Sequence, residues 1–121
     1  MPAPSPLTIA TQSVQRLIKE EKYYRKELTQ QSERVKKLET DLKAAGGSAD
    51  SNAAFVLKQE QKARDETKAV FAPLNERITE AVQRLEEQIA TAESEEASAE
   101  EIKKAKEALE LGKGVEEPPV A

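Results

Sequence analysis

The side chains best supplied for chemistry in this sequence are carboxylates, three of whose pairs are the adjacent Glu20-Glu21, Glu86-Glu87 and Glu100-Glu101. Acid–base catalysis needs two such groups converging on one reacting atom with separated pKa values. Neighbours on a helix point about 100° apart, and nothing polar is set beside these pairs to shift them, so they read as solvated faces. The chain has no His, no Cys and no Trp. Imidazole and thiol catalysis, zinc sites of the usual ligand types and disulfides are therefore excluded. The expectation is a protein that is not an enzyme and needs no metal or cofactor.

The chemistry left is recognition, through few aromatics and many charges. Of 121 residues, 35% are charged and 3% aromatic, with a net charge of -4. Residues 1–45 carry +3, residues 46–93 carry -3 and residues 94–121 carry -4. Basic residues are interleaved with acids and aromatics for base stacking are scarce, so nucleic acid is not an expected partner. No stretch approaches the roughly 18 apolar residues of a membrane span. The start, Met1-Pro-Ala-Pro-Ser-Pro6, lacks the basic and apolar regions of a secretory signal. A soluble, cytoplasmic protein is expected.

The elements that position these residues follow from composition and spacing. Ala, Glu, Lys, Leu and Arg make up 55% of the chain, the signature of long helices. Leu, Ile, Val and Phe supply only 20%, too little for a large central core. Residues 1–7, rich in proline, read as a disordered lead. From Leu7 the positions Ala10, Val14, Leu17, Glu21, Tyr24, Leu28, Gln31, Val35, Leu38 and Leu42 alternate by three and four, one continuous seam on a helix of about residues 8–45, roughly 55 Å long. Gly46-Gly47 ends it. Glu21 and Gln31 read as polar layers that fix register.

Ser48, Asp50 and Ser51 are competent caps for a second helix, about 51–93. Its seam reads Val56, Glu60, Ala63, Thr67, Val70, Leu74, Ile78, Ala81, Leu85, Gln88 and Ala92, widened by Val82 and Ile89. The spacing 70, 74, 78 is a stutter, and Pro73 lies inside it. Proline removes one helical hydrogen bond and crowds the carbonyl of Ala69. A kink is the simpler outcome; a full break restarted near Asn75 is the alternative. Ser98-Ala-Glu-Glu101 fits a capping box for a short third helix, about 98–111, stopped by Gly112 and Gly114. Residues 112–121 read as a flexible tail.

Short connections make neighbours antiparallel. The fold class is thus all-α: a single domain over residues 8–111, an elongated, coiled-coil-like antiparallel three-helix bundle, with helix 2 kinked near Pro73. Beyond the short third helix it has only two helices and should be less stable, with Phe55, Leu57 and Phe71 left over as surface. Phe55 is either a docking patch or a cap over Leu42 and Val35. Tyr24 belongs to the seam, so Tyr23 faces away and is the better contact candidate.

Ile9-Ala-Thr11, Val14-Gln-Arg-Leu17-Ile-Lys-Glu20-Glu-Lys-Tyr23-Tyr24 and Glu27-Leu28 resemble the first helix of the tubulin-binding cofactor A family. Leu57-Lys-Gln59-Glu60, Asp65-Glu66-Thr67-Lys68, Pro73, Leu74 and Arg77-Ile78 resemble its second, proline-kinked helix, so the likeness covers about residues 9–90. It implies a three-helix chaperone that binds β-tubulin released from the cytosolic chaperonin and passes it toward heterodimer assembly without ATP or covalent chemistry. Other tubulin-folding cofactors would be further partners. The candidate partner-binding surface is Tyr23, Phe55, Lys58, Gln59, Glu66 and Phe71. Bulky apolar residues of the family pattern are replaced here by Ala63 and Arg64, and the family's proline stands one place earlier relative to Thr67-Lys68. The stutter, the proline and the short third helix favour a monomer; the alternative is a dimeric coiled-coil scaffold or tether.

Overall fold

A computed structural model describes residues 3–48 and 51–115 of the chain. Helix α1 spans Pro6–Ala45, a 3-10 turn Gly46–Ser48 follows, and α2 spans Ser51–Ser94 and α3 Ala99–Lys113. All regular structure among the described residues is helical, an all-α bundle.

Each boundary has a local cause. Pro6 is the first helical residue, earlier than the expected start near Thr8, because proline lacks only an N–H that would be unpaired there. The Ser5 hydroxyl accepts from the Thr8 N–H at 3.1 Å and caps the helix. Of the expected lead, Leu7 is a buried core residue, and residues 1–2 lie outside the described residues. At the other end of α1, Gly46 takes φ +56°, the left-handed conformation that glycine adopts without penalty. The side chains of Ser48, Asp50 and Ser51, the expected caps of α2, lie outside the described residues.

Between α2 and α3 the chain turns through a Schellman motif. Ala97 N–H donates to Ala92 C=O at 3.0 Å and Glu96 N–H to Glu93 C=O at 3.4 Å, with Glu96 left-handed at φ 55°. A glutamate thus occupies the position usually given to glycine. Ser98 caps α3 by accepting from Glu101 N–H at 3.5 Å. Only half of the expected capping box forms: the Glu101 carboxylate accepts from the Ser5 hydroxyl at 3.2 Å.

α2 is one helix through Pro73, so the full break does not occur. Pro73 and Ala69 are both exposed, so water can serve the carbonyl that the proline leaves without a donor. The stutter falls one turn earlier than expected, at Ala63, Thr67 and Phe71, so Pro73 lies just after it. Phe71, not Val70, is the fully buried residue, and the buried line runs Phe71, Leu74, Ile78, spaced by three and four. Either neighbour fits the spacing from Leu74; the larger ring takes the inside because it removes more apolar area from water.

The contacts divide the described residues into two compact units, one of residues 3–21 with 72–115, the other of residues 22–48 with 51–71. In the first, the start of α1, the end of α2 and α3 bury Leu7, Val14, Ile18, Leu85, Ile89 and Ala105 together. Lys106 reaches Glu93 at 3.5 Å and Gly112 touches Val82, so α3 runs antiparallel to α2. Gly112 does not stop α3 as expected but lies buried within it. A Cβ there would stand 2.6 Å from Val82 Cγ2 and 3.2 Å from Val14 Cγ1, so glycine permits this approach. Val115, assigned to the tail by sequence, packs against the same core; residues 116–121 lie outside the described residues.

The second unit is a two-helix pair. Arg25 lies over the Phe71 ring at 5.7 Å and Arg34 pairs with Glu60 at 3.6 Å, so the helices are antiparallel. Its buried apolar residues among those described are Leu28, Val35 and Phe71. Gln31 is buried beside them, and its side-chain oxygen has no hydrogen-bond partner.

Candidate partner-binding surface

The six candidate residues all fall in the two-helix unit. On α2, Phe55, Gln59 and Glu66 recur at zero, four and eleven residues, and Lys58 stands beside them. At about 100° per residue this is one stripe, and all four residues are exposed. It lies roughly a third of a turn round α2 from the stripe of Glu60, Ala63, Thr67 and Phe71 that faces α1. Phe55 is 58% exposed, which leaves it out of a cap over Leu42 and Val35. Val56 and the half-buried Leu57 flank it.

Phe71 is corrected: at 0% exposure, under the Arg25 guanidinium, it belongs to the interior and offers no surface. It sits sixteen residues from Phe55, a separation that turns it to the inner face. Tyr23 on α1 is 61% exposed and meets Tyr24 edge-on, with centroids 5.4 Å apart. Its hydroxyl donates to the Glu27 carboxylate one turn on, which together with that negative charge raises the phenol pKa above the usual 10.0. Tyr23 lies two residues before Arg25 and hence near the level of Phe71. The structure therefore does not bring Tyr23 and Phe55 together: they stand at opposite ends of this unit, roughly 24 Å apart along the helices at about 1.5 Å per residue.

Sequence spacing missed the second buried line of α1. Thr11 and Ile18 are 6% and 5% exposed, one place after Ala10 and Leu17 of the expected seam. The Thr11 hydroxyl donates to Leu7 C=O at 2.8 Å and so enters the interior satisfied. The signal was an additional apolar side chain at Ile18, legible only once a third helix is placed beside α1. Glu21 and Gln31, read as polar layers, are both buried.

The paired carboxylates form no converging site. Glu86 and Glu87 are exposed, and Glu100 is held at 3.8 Å from Lys104 one turn on. Among the described residues there is no cluster able to hold a metal ion, and no helix is long and apolar enough to cross a membrane. The concavities are shallow, one on α3 alone and others between helices. What this all-α bundle presents is exposed helix faces and shallow grooves.

The sequence profile of tubulin binding cofactor A matches residues 2–109. Tubulin-specific chaperone A of Saccharomyces cerevisiae (strain ATCC 204508 / S288c) is 36% identical over 89 residues, covering 74% of this chain and 76% of that protein. No solved structure matches the chain. The chain belongs to the tubulin binding cofactor A family. That is a family of tubulin-folding chaperones and not of enzymes, and tubulin is the partner it defines.

Proposed function

We propose that this chain captures β-tubulin released from the cytosolic chaperonin, keeps it soluble and passes it to later tubulin cofactors for assembly with α-tubulin. The observation that carries this reading is the family match over residues 2–109. The exposed stripe of α2 supports it, because Phe55 supplies an apolar anchor and Lys58, Gln59 and Glu66 supply a polar rim, the arrangement of a protein interface. Tyr23 extends the surface onto α1.

Capture is stoichiometric and takes place in the cytoplasm on a monomer. The monomer is supported by α3, which fills one groove of the α1–α2 pair from within the same chain with Ala105 and Ala108 fully buried, where a helix of a second copy would otherwise pack. A pull-down from eukaryotic cytosol tests the partner: β-tubulin retained without α-tubulin is expected, and recovery of neither would overturn the reading. Sedimentation equilibrium of the purified chain is expected to give the monomer mass; a dimer would favour the coiled-coil alternative.

A further inference from the structure

Two antiparallel helices form two grooves, one on each side. In the three-helix unit α3 fills one of them with Ile102, Ala105, Ala108 and Leu109. The other holds about 450 Å³, and none of its lining residues belongs to α3. Its floor is Leu17 of α1 and Ala81 of α2, both half-buried, and its rims carry the exposed guanidiniums of Arg16, Arg77 and Arg84. Arg34 and Arg64 have carboxylate partners at 3.6 and 3.2 Å, whereas among the described residues these three are in no ion pair or hydrogen bond.

We propose that this groove receives a carboxylate-bearing helix of the captured polypeptide, lying where a counterpart of α3 would lie. The inference rests on the capture reading above and names the chemistry of one contact. Three guanidiniums on a partly apolar floor suit a helix whose apolar edge faces Leu17 and Ala81 and whose Glu or Asp side chains take paired N–H bonds from the rim. Arg77 and Arg84 are two turns apart on α2, roughly 10.5 Å, which matches carboxylates seven residues apart on the incoming helix. Glu20 and Glu80 also line the groove, leaving it at +1. Those carboxylates repel a continuous polyanion such as a nucleic acid or an anionic bilayer, while discrete carboxylates can pass between them.

Two measurements on the full chain test this. In the first, the isotopically labelled protein is titrated with a synthetic helical peptide of Ala and Leu carrying Glu at seven-residue spacing, and with its Gln counterpart, while arginine side-chain N–H signals are followed by NMR. Saturable shifts confined to Arg16, Arg77 and Arg84 with the Glu peptide alone are expected. Shifts spread evenly over all exposed arginines, or none, would overturn the groove. In the second, β-tubulin capture is compared for wild type, Arg77→Glu/Arg84→Glu and the α3 control Lys103→Glu, each with a melting curve to confirm folding. The double variant is expected to bind about tenfold more weakly or worse, with the control unchanged. Equal capture by the double variant would refute the groove while leaving the chaperone reading intact. Absence of capture by wild type would instead refute that reading, and the peptide titration would still decide whether the groove takes carboxylates.

Discussion

Replacing Gly112 by alanine sets two known effects against each other. Alanine is the better helix former by about 1 kcal/mol in a helix interior, with part of the gain coming from a less free unfolded chain. Against this stands packing: the new Cβ would lie 2.6 Å from Val82 Cγ2 and 3.2 Å from Val14 Cγ1. Carbon atoms sit comfortably at about 3.5–4.0 Å, so the first contact is short by roughly 1 Å. Neither valine yields easily, since β-branched side chains in helices hold one rotamer and Val14 is fully buried. α3 must therefore move away from α2, an overpacking cost of about 1–3 kcal/mol. With the propensity gain reduced near the helix end, the net is a loss of about 1–2 kcal/mol, or several degrees in Tm by circular dichroism. Gly114→Ala is the control: its Cβ would meet only Glu110 C=O at 3.4 Å and Leu111 C=O at 3.6 Å, and φ is -82°. It should be neutral or slightly stabilising. Combining Gly112→Ala with Val82→Ala should recover part of the loss beyond additivity. A Gly112→Ala protein as stable as wild type would refute the argument that glycine sets this helix–helix distance.

Glu96→Gly should raise stability by about 1 kcal/mol, because it places glycine at the left-handed position of the Schellman motif; an unchanged or lower melting temperature would contradict that account. Phe55→Asp should leave the melting curve within about 0.5 kcal/mol of wild type, as expected for a side chain 58% exposed. It should weaken β-tubulin capture about tenfold or more, and undiminished capture would remove Phe55 from the surface. Leu85→Asp buries an unpaired carboxylate where wild type has a fully buried leucine and should cost on the order of 4 kcal/mol or more. A normal cooperative transition for that variant would contradict the register of α2.

What was legible in the sequence was what depends on neighbours in sequence. Helix limits followed from Gly46 and Ser98, and the inner line of α1 from its three-and-four spacing, because a single adjacent helix imposes one stripe. Positions that answer to a third partner were not legible: Thr11 and Ile18 are buried because α3 covers them, and Gly112 reads as a helix stop until Val14 and Val82 are placed beside it. Val70 and Phe71 could not be ordered by spacing, since both stand at helical intervals from Leu74, and only ring size against the partner helix decides. Glu96 carries no turn signal of its own. In the candidate surface, Tyr23 and Phe55 stood out as aromatics off the seam, while Arg16, Arg77 and Arg84 did not, because each has carboxylates close by in sequence and the segments look neutral. Their lack of ion pairs is a property of the fold alone.

The distribution of apolar surface bears on how such a chain can bind a folding subunit without associating with itself. Contiguous exposed apolar patches beyond a few hundred Å² favour self-association. Here the exposed aromatics are separate: Phe55 has Lys58 and Gln59 beside it, and Tyr23, at the other end of its unit, is tied to Glu27. Phe55 and Tyr23 therefore do not merge into one patch. A larger partner that spans both ends can engage them together, and linking contacts in one partner raises affinity without strengthening any one of them. On the proposed capture, release needs only one contact to let go before the other, because neither anchor alone carries the whole affinity.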